Sequence, residues 1–159
     1  MSDRIQKVTV LKAPRERVWK AISDAKQFGS WFGVEFEGDF TPGAHVTGKM
    51  RPTTVDAAVA KMQEQYAGMK FEFWVDSIEP PNRITFRWHP FAIDPKVDYS
   101  AEPKTTIVFE LADAGDGTKL TITESGFDQI PLHRRAEAFK MNQGGWDAQA
   151  TLIEKFVAR

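Results

Sequence analysis

Residues 131–159, PLHRRAEAFKMNQGGWDAQATLIEKFVAR, read as one long helix with an apolar seam. Phe139, Trp146 and Ile153 fall seven apart, and Ala150 and Val157 extend the stripe, so this face meets the rest of the fold. Gly144-Gly145 interrupts it just before Trp146. A glycine inside a helix costs about 1 kcal/mol relative to alanine. Two in succession predict close backbone approach, by a sheet or by a bound molecule that a Cβ would block.

Upstream, the chain reads as that sheet. An alternating run around Ile5, Val8 and Val10 opens it and ends at Ala13-Pro14. Val18, Trp19 and Ile22 then mark a short amphipathic helix over Arg15 to Ser23, and a second follows from Asp24 to Phe32 with Ser23 or Asp24 as cap. Strands are expected at Val34–Phe40 and Ala44–Met50 around Thr41-Pro42-Gly43. Asp56 to Tyr66 has the composition of an inserted helix. Lys70–Glu79 and Arg83–His89 form an aromatic hairpin, and Thr105–Leu111 and Lys119–Ser125 another across Ala114-Gly115-Asp116-Gly117. Phe91 to Lys104 is too irregular for a strand. Consecutive strands, with helices after the first and at the end, predict an α+β fold: a curved antiparallel sheet closed on one face by the final helix.

A chain of 159 residues, 42% hydrophobic and without cysteine, fits one domain over 1–159. The 21 Lys plus Arg against 22 Asp plus Glu leave no global field to recruit nucleic acid or an acidic membrane. The absence of cysteine removes disulfide scaffolds, thiolate metal sites and thiol nucleophiles. The charged opening, Met1 to Arg4, predicts neither a signal peptide nor a spanning segment, hence a cytoplasmic protein.

Glu124 shares a strand face with Leu120 and Ile122, so its carboxylate points inward unless the strand end already meets water. If buried, it needs donors or a proton. On 70–79, Phe71, Phe73 and Val75 share one face, and Glu72, Trp74, Asp76 and Ile78 the other; an Arg87–Glu72 pair across strands would account for both charges. His45, His89 and His133 form no ligand doublet, and neither a metal nor a cofactor is expected. No phosphate loop, dinucleotide fingerprint or nucleophile elbow is present. Five Trp and twelve Phe are many for one small core and suit a cavity lined by rings, or simply the core itself.

Ala13-Pro14 with Val18-Trp19 and Ala21-Ile22, then Trp31-Phe32, Ile78-Glu79-Pro80-Pro81-Asn82-Arg83-Ile84 with Trp88, Gly117-Thr118, Ser125-Gly126-Phe127 and Gly145-Trp146 occur in a characteristic order. In this the chain resembles the bacterial homologues of the activator of heat-shock protein 90 ATPase, within the helix-grip superfamily of START domains, birch-pollen-allergen-like proteins and polyketide cyclases. The resemblance implies a six- or seven-stranded sheet gripping the long helix around a hydrophobic cavity. The expected role is non-catalytic binding of a small apolar molecule there. Its lining would come from Val18, Ile22, Trp31, Phe36, Phe73, Phe86, Trp88, Ile122, Phe139 and Trp146, with Glu124 as an orienting group. Two alternatives stand beside it. One is a cyclase- or hydrolase-like enzyme using Glu124 or His89 as base. The other is a stress-related module that contacts a chaperone or a second copy of itself, with 56–66 and 91–104 as contact surface or lids.

Overall fold

The chain forms a seven-stranded antiparallel sheet with helices on one face, seen in a computed structural model that describes residues 4–94 and 96–159. The opening residues Met1 to Asp3 and Pro95, within the expected 91–104 loop, lie outside the described residues. Strand β1 (Arg4–Leu11) leads into α1 (Arg15–Ser23) and α2 (Ala25–Phe32), and then β2 (Val34–Phe36) and β3 (His45–Met50). Helix α3 (Ala57–Gln63) precedes β4 (Lys70–Glu79), β5 (Arg83–Trp88), β6 (Thr105–Ala114) and β7 (Gly117–Ser125), and α4 (Leu132–Val157) closes the chain. The strands lie in the order β1-β7-β6-β5-β4-β3-β2.

Local chemistry explains the boundaries. Asp24 caps α2 by accepting from the backbone N–H groups of Lys26 and Gln27, and Gly33, at φ 105°, ends that helix in a left-handed conformation. Asp56 caps α3 by accepting from Val59 N–H. Strand β2 stops at Phe36, short of the expected Phe40, since its register with β3 ends where Phe36 faces Gly48. Strands β6 and β7 run further into their turn than expected, to Ala114 and from Gly117.

The register of β4 corrects another expectation. A bulge between Val75 and Ser77 shifts the pairing so that Ile78 stands opposite Ile84. Cross-strand partners share a face, so Ile78 joins the core side rather than the side of Glu72 and Trp74.

The centre is filled. Phe28 from α2 contacts seven rings, those of Trp31, Phe32, Phe36, Phe40, Phe73, Phe86 and Phe109, at centroid distances of 4.7 to 6.1 Å. Helix α4 seals the adjoining part of the sheet with Trp146, Ala150, Ile153 and Val157, as its stripe predicts. Of the two expectations for its glycines, close approach by the sheet is not met: a Cβ at Gly144 or Gly145 would meet no protein atom within 4 Å.

Candidate functional site

The alternation of β7 carries Leu120, Ile122 and Glu124 inward in turn, and Glu124 is completely buried. It therefore does not sit where the strand end meets water. Opposite it in the register are Ile5 and Ile107, which supply no polar partner from their side chains. Donors arrive from three other elements. Trp88 Nε1, at the end of β5, donates to Oε2 at 2.7 Å, and Thr105 Oγ1, at the start of β6, donates to the same oxygen at 2.6 Å. From α4, Trp146 Nε1 donates to Oε1 at 2.8 Å, and Asn142 Nδ2 lies 3.0 Å and 3.1 Å from the two oxygens. Asn142 and Trp146 are four apart, so one helix face delivers both.

All these donors are uncharged. Burial without a compensating cation pushes the Glu124 carboxyl above its ordinary value, against the opposing pull of the bonds from Thr105, Trp88, Trp146 and Asn142. The glutamate joins β5, β6, β7 and α4 at one point. It holds Trp88, Asn142 and Trp146 at fixed positions.

Those three side chains form a wall. With Phe32, Gly145 and Gln149 they enclose a recess of about 70 Å³ beside α4. Next to it, a cavity of about 820 Å³ occupies the end of the sheet where β4 begins and β5 finishes. Phe32, Met50, Phe71, Trp88, Asn142 and Gln149 bound it on the helix side. His45, Glu72 and Trp74 bound its extension round the sheet end, and Phe91 to Asp94, Val97 to Ser100 and Lys104 cover it.

The covering segment is tied down at both ends. Arg134, in the first turns of α4, donates to Glu102 Oε1 through Nε (2.8 Å) and Nη2 (2.5 Å), and to Pro90 O through Nη1 at 2.8 Å. Its guanidinium also lies 4.8 Å from the Tyr99 ring centre. At the far end, Lys104 Nζ sits 4.4 Å over Trp74. Phe91, where the segment starts, has φ 51°, a left-handed conformation unusual for an aromatic residue.

On the outer surface His45 stacks on Trp74 with centroids 4.3 Å apart and bonds Glu72 at 2.6 Å. Glu72 thus engages His45, with Lys70 at 3.8 Å, instead of the expected Arg87, which the register places opposite Trp74. His89 packs edge-on against Trp74 at 5.4 Å. Burial, and then the charge of Lys104, hold the His89 imidazole below its ordinary value. His133 lies apart from both, at the start of α4. Among the described residues, no three His, Cys, Asp or Glu side chains gather as metal ligands. No described helix is long and apolar enough to cross a membrane.

The residues expected from sequence to line a cavity divide clearly. Trp88 and Trp146 stand in the recess wall, with Glu124 bonded behind them. Val18, Ile22, Trp31, Phe73, Phe86 and Ile122 are buried in the packed interior, Phe36 belongs to its ring cluster, and Phe139 packs on Phe127 at 5.1 Å. Sequence reasoning missed Phe32, Phe71, Thr105, Asn142 and Gln149. A signal existed for two of them: Asn142 and Gln149 share the helix stripe of Trp146 and Ile153, where polar residues are out of place.

A profile described as activator of Hsp90 ATPase homolog 1-like protein matches residues 12–158. No curated protein matches the chain. Among solved structures, DynU16, from the dynemicin biosynthetic locus, is 21% identical with a TM-score of 0.69, over 99% of this chain and 48% of its own. The chain thus spans about half the length of DynU16. The MLL2253 protein of Mesorhizobium loti is 17% identical with a TM-score of 0.71, over 98% of this chain and 97% of its own. A protein of Arthrobacter aurescens is 18% identical with a TM-score of 0.73, over 98% and 86%. At these identities the likeness is one of fold.

Proposed function

The chain belongs to the family of activator of Hsp90 ATPase homolog 1-like proteins, and we propose that it binds a small, largely apolar molecule without transforming it. The observation that carries this reading is the cavity of about 820 Å³ beside the 91–104 segment, walled on the helix side by Phe32, Met50, Phe71 and Trp88 and, round the sheet end, by polar residues such as His45, Glu72 and Lys104. Cavities of about 300–1,000 Å³ with such linings hold small ligands. Withdrawing roughly 300 Å² of apolar ligand surface from water is worth about 7.5 kcal/mol before association costs, enough for useful affinity. The guest sits at the end of the grip, not at its centre, because the rings around Phe28 occupy the centre.

The hydrogen bonding of Glu124 favours binding over catalysis. A general base needs a lone pair aimed at its substrate. Both oxygens of Glu124 already accept from Trp88, Thr105, Asn142 and Trp146, which makes the residue an organiser of the wall.

N-phenyl-1-naphthylamine, an uncharged probe that brightens in apolar surroundings, tests the reading. It is expected to bind saturably to the wild type and more weakly to Met50→Trp, whose indole takes up part of the cavity beside Phe71, while circular dichroism stays unchanged. Undiminished binding by the folded variant would move the site elsewhere. Native mass spectrometry separates the readings further: a retained small molecule supports this one, and a ligand-free dimer supports an interaction module.

A further inference from the structure

The larger cavity has two chemically different ends. Phe71 and Glu72 are neighbours on β4, and alternation sends their side chains to opposite faces of the sheet, yet both line the same space. The cavity therefore turns round the beginning of β4, from an apolar side bounded by Phe32, Phe71 and Trp88 to a polar side bounded by Glu72, Trp74 and Lys104. The acidic side chains on and beside the polar side have protein partners. Glu72 meets His45 at 2.6 Å and Lys70 at 3.8 Å, and Glu102 is held by Arg134. Asp94 and Asp98 accept from the backbone N–H groups of Lys96 and Ser100, each at 2.9 Å. Lys104 differs. It is half-buried, its ammonium lies over Trp74, and among the described residues it forms neither an ion pair nor a hydrogen bond. A ring face attracts a cation but is no hydrogen-bond acceptor of carboxylate strength, so the ammonium keeps donors for an acceptor inside the cavity.

We propose that the guest is an amphipathic acid, with an apolar body between Phe32, Phe71 and Trp88 and a carboxylate that meets Lys104 where the cavity turns round the sheet end. This rests on the cavity-binding reading above. Lys104 is then the residue that selects the head group. A carboxylate there gains a charge-assisted hydrogen bond from an ammonium that is only partly hydrated. A cationic head would meet Lys104 as a like charge, beside carboxylates that already have donors. An uncharged head would leave the ammonium as it is. Asp94 and Asp98 line the same end, but both are exposed, so water and salt screen them from a bound anion more than they screen half-buried Lys104. Lys70 also lines the cavity, yet it is exposed and already faces Glu72, which makes it the natural control.

Calorimetric titration at low salt with three probes of one ring system decides the matter: 2-naphthoate, the isosteric but uncharged 2-naphthamide, and the cation 2-naphthylmethylammonium. The wild type is expected to bind the naphthoate about tenfold more tightly than the naphthamide, the size of effect one hydrogen bond to a charged group gives, and the cation most weakly. Added salt should shrink that preference. In Lys104→Gln the naphthoate and the naphthamide should bind alike, with the naphthamide little changed, whereas Lys70→Gln should keep the preference. Equal affinity of the wild type for naphthoate and naphthamide, tightest binding of the cation, or a preference that survives in Lys104→Gln would each overturn the inference while leaving the cavity as a binding site. Failure of all three probes where N-phenyl-1-naphthylamine still binds would overturn the inference alone, and failure of all four would overturn the cavity reading with it. The wild-type ratios decide even if a variant does not fold.

Discussion

The two ends of the grip are built from the same aromatic residues to opposite effect. At one, Phe28 sits among seven rings and the space between helix and sheet is closed. At the other, Phe32, Phe71 and Trp88 stand round a cavity. The difference lies in what accompanies the rings. The closed end has only apolar side chains, which shift until they touch. The open end has a carboxylate whose four bonded donors hold two indoles in place, so the rings there cannot collapse inward. A buried polar hub is how this sheet keeps a space open.

Removing a ring from the closed end should cost most. Phe28→Ala is expected to lose about 3–5 kcal/mol of stability in urea unfolding, the range for deleting a fully packed phenylalanine. A loss below about 1 kcal/mol would mean that the centre is loosely filled and that the two ends do not differ. Glu124→Gln tests the open end, with an expected loss of about 1–3 kcal/mol because its amide N–H₂ must face an indole N–H. The pH dependence has a definite sign. Burial raises the Glu124 carboxyl, so the native state keeps this proton at pH values where the unfolded chain has lost it. The native state then binds more protons, and stability falls as pH rises from the ordinary glutamate value to the raised one. Glutamine does not titrate, so the stability gap between wild type and variant should narrow across that window and level off above it. A gap that widens with pH would show that the four hydrogen bonds outweigh burial and hold Glu124 as an anion.

The contrast between the ends was only half legible in the sequence. Alternation and turn residues gave the strands and their antiparallel order, because period-two burial and the glycines and prolines of the turns act locally. The seam of α4 likewise revealed its buried face. Which aromatics pack and which line a space was not legible, since Phe73 and Phe71 lie two apart on one strand face, yet Phe28 packs on Phe73 while Phe71 borders the cavity. Glu124 was visible as an inward carboxylate, yet its donors come from residues 88, 105, 142 and 146, and only the folded chain unites them. The bulge at Val75 and Ser77 inverted one expected face, and no residue there announces it. Gly144-Gly145 admits either a packed sheet or a bound molecule, and the sequence does not distinguish them; the structure removes the sheet.

Arg134 connects the ends of the covering segment to α4, and its loss should act on that segment alone. Arg134→Met keeps the aliphatic stem but removes the bonds to Glu102 and Pro90 and the contact with Tyr99. The guanidinium and its carboxylate partner are both largely buried, so this is more than a surface pair. Amide hydrogen exchange over the 91–104 segment is expected to quicken about tenfold, equivalent to about 1.4 kcal/mol of local opening, with β4 and β5 unchanged. Faster exchange throughout the sheet would show that the cover and the wall unfold together.

The smallest effect bears most directly on why the space exists. Gly144 and Gly145 both have room for a Cβ, and neither has a positive φ, so alanine at either should stabilise α4 by about 0.5–1 kcal/mol. Only Gly145 lines the recess. Gly145→Ala should therefore gain stability and lose affinity for a probe that enters the recess, whereas Gly144→Ala should gain the same stability and bind as the wild type. If the two alanines behave alike in both measurements, the glycine pair has no part in binding. If only position 145 trades stability for affinity, that glycine gives up helix stability to keep the recess beside Trp146 open.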